Sequence, residues 1–225
     1  TYNNLKYLKF FLKSIKENSN FNHEIILHIN DGSDGTLKYA IKNSLKHTYS
    51  KTNIGLCSSM NRAYSLTTTD HILYAHDDMY FCKDWDIFLA DEIKKKDNNL
   101  YYLTGTNVST RHGLINFHCG NTIDDFDKYK FDSFCFADKT PDFQSSHWAP
   151  HLINRELWDR IGGFSEEFNP GDGSDPDICM KLWKQNVRIF KGVSKFKVYH
   201  FNSITTRKKN FKLNDGTKQF LIKYG

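Results

Sequence analysis

The sequence predicts an α/β domain in which a mainly parallel central sheet is flanked by helices. Apolar stripes at helical spacing alternate with short apolar runs, and those runs end in polar loops. The chain has 225 residues, of which 39% are hydrophobic, enough for one large core. The first helix is marked by Leu5, Leu8, Leu12 and Ile15, and the run Ile25 to Ile29 then reads as a strand closed by Asn30-Asp31-Gly32-Ser33-Asp34-Gly35-Thr36. A second helix follows, with Leu37, Ala40, Ile41 and Leu45 on one face and Asp34 or Thr36 as its cap. After Asn53-Ile54-Gly55 a third helix carries Leu56, Met60, Ala63 and Tyr64. Ile72 to Ala75 is a buried-type strand that runs into Asp77 and Asp78. Trp85, Phe88, Leu89 and Ile93 mark a fourth helix, and Tyr101 to Thr104 another strand.

From Asn107 to about Ser146 the rhythm is lost over more residues than a connecting loop usually takes, which suggests a functional insertion or acceptor-side segment. Regular signals return with Leu157, Trp158 and Ile161, a Gly162-Gly163 break, a helix expected to start at Pro176, and a final strand over Val187 to Phe190. The organisation is one domain over 1–204 and a basic tail over 205–225, the tail being a solvated end or a surface for anionic lipid. A net charge of +5 is spread along the chain, and the aromatic residues, 15% of the total, are not interleaved with a basic stripe, so no nucleic-acid partner is expected. There is no membrane-spanning run or signal-peptide pattern, so residence in the cytoplasm is expected. The five cysteines, Cys57, Cys82, Cys119, Cys135 and Cys179, contain no CxxC pair and read as free thiols.

Ligands of open parallel sheets sit beyond the carboxyl ends of strands, and polar clusters follow three strands here, at Asp31, at Asp77-Asp78 and near Asn107. An Asp-Asp pair after a strand serves as a turn or cap, or as a hard-oxygen site for Mg²⁺ or Mn²⁺ that neutralises a diphosphate. The string Asn169-Pro170-Gly171-Asp172-Gly173-Ser174-Asp175-Pro176-Asp177 also has two readings. Ser174 or Asp175 caps a helix that has Pro176 at its first position, or a carboxylate at this junction takes a proton from an incoming hydroxyl.

HINDGSDGT, NIGLCSSMN, HDDM and IGGFSEEFNPGDGSDPDI occur in this order, and with them the chain resembles the family 2 glycosyltransferases of GT-A fold from Thr1 to about Ser203. The resemblance implies that Asp31 hydrogen-bonds the donor's nucleobase and that Thr1 and Tyr2 pack around that base. It places Asp77 near the ribose or sugar and makes Asp78 and His200 the metal ligands, His200 otherwise being a packing histidine. It makes Asp175 the catalytic base and sets Trp148, Gly162 and Gly163 around the acceptor pocket. Two departures stand out. Ser174 replaces the family's usual glutamate, and the buried strand that precedes the equivalent of Thr1 in the family is missing, so the expectation is an unpaired slot in the sheet and either a longer natural protein or a fold that compensates.

The resulting expectation is an inverting, metal-dependent transferase, using Mn²⁺ or Mg²⁺ and a nucleotide-diphosphate sugar, uridine-based, to glycosylate a saccharide or lipid-linked saccharide in polysaccharide biosynthesis. Peripheral contact with the inner membrane face goes with the lipid-linked acceptor. The competing readings are a sugar nucleotidyltransferase and an inactive saccharide- or nucleotide-binding module.

Overall fold

The computed structural model describes residues 1–110, 112–144, 148–202 and 214–225. Along the chain run α1 (Leu5–Asn18), β1 (Ile26–Asn30), α2 (Thr36–Lys42), β2 (Lys46–Ser50), α3 (Leu56–Tyr64), β3 (His71–Tyr74), β4 (Met79–Phe81), α4 (Trp85–Lys94) and β5 (Tyr101–Ser109). There follow β6 (Ile115–Asn116), α5 (Lys128–Ala137), β7 (Phe143–Gln144), β8 (His151–Asn154), α6 (Arg155–Ile161), a 3-10 turn (Glu166–Phe168), α7 (Ser174–Lys184), β9 (Ile189–His200) and α8 (Gly216–Tyr224).

The strands form two sheets. β1 and β2 pair in parallel, while a second sheet runs β3-β8-β5-β9-β4, with β6 on β5 and β7 on β9. The α/β class and the flanking helices match the expectation; the strand directions are mixed. β5 pairs in parallel with β9, whereas β8 is antiparallel to both β3 and β5, and β4 is antiparallel to β9. Since β3 and β5 both oppose β8, they run parallel to each other. The strands legible in the second sheet, β3, β5 and β9, are thus mutually parallel. The antiparallel ones, β4, β7 and β8, have three, two and four residues, and β8 carries only Leu152 and Ile153 as apolar residues, so none offers a period.

The core holds α1 and α4 against the second sheet. Leu8 and Ile15 of α1 are buried as its stripe requires, and Asn18 donates through Nδ2 to Tyr80 Oη (3.0 Å) and to the Phe81 carbonyl (2.7 Å) on β4. The segment from Asn107 is more regular than its sequence: β5 continues to Ser109, and α5 is capped by Asp127, which accepts from Lys130 N. Phe131 of α5 is fully buried beside Phe126 and Tyr199, but Tyr129 and Phe136 of the same helix are 82% and 89% exposed. Apolar residues on both faces erase the helical stripe.

Of the tail over 205–225, residues 205–213 fall outside the described ones. Residues 216–224 form α8, which packs on α7 where a solvated end was one expectation. Lys223 Nζ pairs with Asp177 (2.8 Å) and Glu167 (2.7 Å), and Tyr224 Oη donates to Asp177 Oδ1 (2.7 Å). Among the described residues no helix is long and apolar enough to cross a membrane. All five cysteines are free thiols, and burial pushes the pKa of Cys57 up to about 12 and that of Cys119 to about 11.

Candidate active site

A cavity of about 880 Å³ lies between the two sheets, with Leu27 and His28 of β1 on one side and Leu73 and Tyr74 of β3 on the other. Leu8, Phe11 and Ile15 of α1 wall it. Thr1, Tyr2, Asp77, Asp78, Asp172 and Asp175 line it as well, a polar cluster set where β1 and β3 end.

Asn4 Nδ2 donates to Asp77 Oδ1 (3.1 Å), and burial raises the Asp77 pKa. Asp78 is buried, and its Oδ1 lies 3.1 Å from His200 Nε2 at the end of β9, opposite Met79 of β4. His76 joins them: His76, Asp78 and His200 each offer a ligand atom, all within 4.8 Å of one another. Burial first, then the neighbouring His200, lowers the His76 pKa to about 4, so its imidazole is neutral at pH 7 and has a lone pair to give. Two imidazoles and one carboxylate are a borderline donor set that fits Mn²⁺ better than Mg²⁺, which prefers oxygen. His76 escaped the sequence reading. The signal was its place beside the acid pair just beyond a strand; the turn at Asp77 and Asp78 brings it to the same end of the sheet.

The loop before α7 is held from α3. Asn61 Nδ2 donates to the Phe164 carbonyl and Asn61 Oδ1 accepts from Phe164 N, both at 2.9 Å; Leu56 N donates to the Pro170 carbonyl (2.9 Å), and Asn169 Nδ2 to Ser58 Oγ (2.7 Å). Asn30 reaches the same helix through Ser59 Oγ (2.9 Å). Helix α7 begins at Ser174, two residues before the expected Pro176, with Gly173 as its N-cap in the left-handed region at φ 82°. Asp175 therefore sits inside the first turn and not ahead of it. Pro176 at the third helical position is tolerated because the first four backbone N–H groups lack helical acceptors anyway. No side chain caps the helix, and Ser174 Oγ instead donates to the Gly171 carbonyl (2.6 Å).

The three carboxylates of this loop differ. Asp177 is fully buried and bound by Lys223 and Tyr224, while Asp172 accepts from Gly216 N at 3.0 Å. Asp175 takes no hydrogen bond from the described residues. It is half-buried along the cavity, and desolvation of its carboxyl by the surrounding protein pushes its pKa up to about 7.

Thr1 donates through its ammonium to the His28 carbonyl (2.9 Å) and accepts from Asn30 N (3.0 Å), while Tyr2 bridges Asn30 in parallel. Asp31, in the left-handed region at φ 64°, accepts from Asn3 Nδ2 (2.8 Å) and is not a lining residue of the cavity. Trp148, Gly162 and Gly163 do not line it either. Gly162 is the C-cap of α6 at φ 69°, and a Cβ on Gly163 would meet Asn61 Oδ1 at 2.5 Å, so both glycines turn the chain back onto α3.

With two sheets, flanking helices and acidic strand ends in place, the molecule has the GT-A fold. Residues 1–150 match the model of glycosyl transferase family 2, and the chain belongs to that family. Among solved structures it is similar to residues 1–349 of TarS from S. aureus (TM-score 0.65, 18% identity, covering 89% of this chain and 58% of that one). A longer TarS structure gives a TM-score of 0.61 at 17% identity, over 98% of this chain and 41% of that one. GalNAc-T7 with UDP, GalNAc and Mn²⁺ gives 0.63 at 14% identity, over 93% and 41%. The chain thus spans 41% to 58% of the length of these structures. No curated protein sequence matches it.

Proposed function

We propose that the chain transfers a sugar, with inversion, from a uridine-based nucleotide-diphosphate donor to a hydroxyl of a saccharide or lipid-linked saccharide. The observation that carries this reading is Asp175: its carboxyl, with a pKa of about 7 and no described hydrogen-bond partner, faces the same cavity as Asp77 and Asp78. A general base works best with a pKa near the operating pH, and Asp175 at pH 7 is poised to accept the acceptor's proton as that oxygen attacks the anomeric carbon. Inversion needs only this one displacement, with no covalent enzyme intermediate.

On the donor side, Thr1 and Tyr2 flank the base, Asp31 receives its hydrogen bond, and Asp77 meets the ribose or sugar. His76, Asp78 and His200 hold the divalent cation, with Mn²⁺ favoured over Mg²⁺ by the imidazoles. Bound there, the cation supplies positive charge against the departing diphosphate. Support for this pairing comes from GalNAc-T7, the structural neighbour crystallised with UDP, GalNAc and Mn²⁺. A lipid-linked acceptor would bring the protein to the inner membrane face, in polysaccharide biosynthesis.

The test is a thermal-shift panel of uridine, guanosine, thymidine and cytidine diphosphates, each with and without Mn²⁺. Uridine diphosphate plus Mn²⁺ should stabilise the fold most, by about 2.7 kcal/mol at a hundredfold excess over the dissociation constant. Equal stabilisation with and without the ion would remove the bridging cation from the account.

A further inference from the structure

A neutral imidazole that gives a lone pair to a metal carries its proton on the other nitrogen, and a buried N–H must find an acceptor. Both histidines of the proposed cation site meet a buried polar side chain on that far side. The Tyr74 hydroxyl, on the last residue of β3, lies 2.7 Å from His76 Nε2. Asn107, within β5, places Nδ2 3.2 Å from His200 Nδ1. Tyr74 is 5% exposed and Asn107 6%, so water does not readily replace either contact. With these nitrogens engaged, His76 Nδ1 and His200 Nε2 are the lone pairs left for a cation shared with Asp78.

As placed, the Asn107 amide donates to His200 Nδ1, which leaves a proton on Nε2 for Asp78 Oδ1 at 3.1 Å. In the same arrangement Asn107 Oδ1 is buried without a hydrogen-bond partner among the described residues. Turning the nearly symmetric amide over brings that oxygen to Nδ1, where it accepts the N–H and frees Nε2 to ligate. We propose that Tyr74 and Asn107 are positioning residues of the cation site, each accepting a hydrogen bond from the non-ligating nitrogen of one histidine. This inference rests on the metal-binding reading above. Outer partners of this kind fix the tautomer and ring orientation of a ligating histidine, and removing one typically costs 10–100-fold in metal affinity.

The test measures Mn²⁺ affinity by the electron paramagnetic resonance signal of the free ion, in the presence of uridine diphosphate, for wild type, Tyr74→Phe, Asn107→Ala and Asn107→Asp. Melting without metal first establishes that each variant is folded. Tyr74→Phe and Asn107→Ala should each weaken Mn²⁺ binding by roughly 10–100-fold. Asn107→Asp should retain affinity, because a carboxylate accepts from His200 Nδ1 in either orientation, whereas a packing role would make it as damaging as alanine. In Co²⁺-loaded protein the visible absorption band should shift in Tyr74→Phe. Wild-type affinity in folded Tyr74→Phe and Asn107→Ala would overturn the inference and leave the site standing. Failure of the wild type to bind Mn²⁺ would overturn both.

Discussion

Asp172, Asp175 and Asp177 lie within six residues, yet the fold gives them three different fates. Asp172 anchors the start of α8 and Asp177 is neutralised by Lys223, while Asp175, which lines the cavity, takes no hydrogen bond from the described residues. Replacing Asp175 with Asn keeps its size and removes proton acceptance, so turnover should fall roughly 10²–10⁴-fold while nucleotide affinity is kept. Asp172→Asn and Asp177→Asn should not reproduce that split. Because the base must be ionised, wild-type turnover should rise through pH 7 and level off above it. Stability carries the opposite sign. The folded pKa of about 7 exceeds the ordinary aspartate value of 3.8, so the native state binds more protons in between, and this contribution is lost as pH rises through 7. Asp175→Asn should therefore melt higher than wild type at pH 8 and lose that advantage near pH 4. No side-chain cap is removed, since Gly173 occupies that position, so a turnover loss without a melting loss assigns the residue.

At the level of elements, α8 docks on α7 around one fully buried carboxylate, Asp177. Lys223 is 31% exposed at its side chain, but its partner Asp177 is fully buried, and stripping a buried carboxylate of its cation costs more than the pair is worth. Lys223→Ala should cost about 1–3 kcal/mol in urea unfolding, with Lys218→Ala, on the outer face of the same helix, within about 0.5 kcal/mol of wild type. An equal effect of the two would show that α8 is not docked in solution. This clasp was not legible in the sequence, because the Asp177–Lys223 pairing joins residues 46 apart that no local pattern connects. The helices α1, α3 and α4 were legible, since each buries one stripe. α5 was not, because Tyr129 and Phe136 face solvent opposite the buried Phe131. The ends of β1 and β3 were read together with the acids that follow them, but β4 and β8 are too short to announce themselves, and with them went the mixed direction of the sheet. Asp77 and Asp78 were singled out by type and place and Asp175 by the family resemblance, and all three line the cavity. His76 was passed over because its neighbours in sequence are the more conspicuous acids, and only the approach of β9 to the β3–β4 link shows that it meets His200, at 5.4 Å between ring centroids.

Taken whole, the molecule sets two sheets on either side of one cavity, ties α3 to the 164–170 segment, and so brings Asp175 into one cavity with Asp77, Asp78 and His76 at the strand ends. Under the proposed function that arrangement serves a displacement in which the acceptor oxygen gains the anomeric carbon and the diphosphate leaves. The most direct measurement follows a uridine-diphosphate sugar by proton NMR with the protein, Mn²⁺ and a saccharide acceptor. Uridine diphosphate should appear together with an anomeric signal of the opposite configuration to the donor's, and both should be lost in Asp175→Asn. Retained configuration, release of uridine monophosphate with a sugar phosphate, or an intact donor beside bound nucleotide would contradict the account.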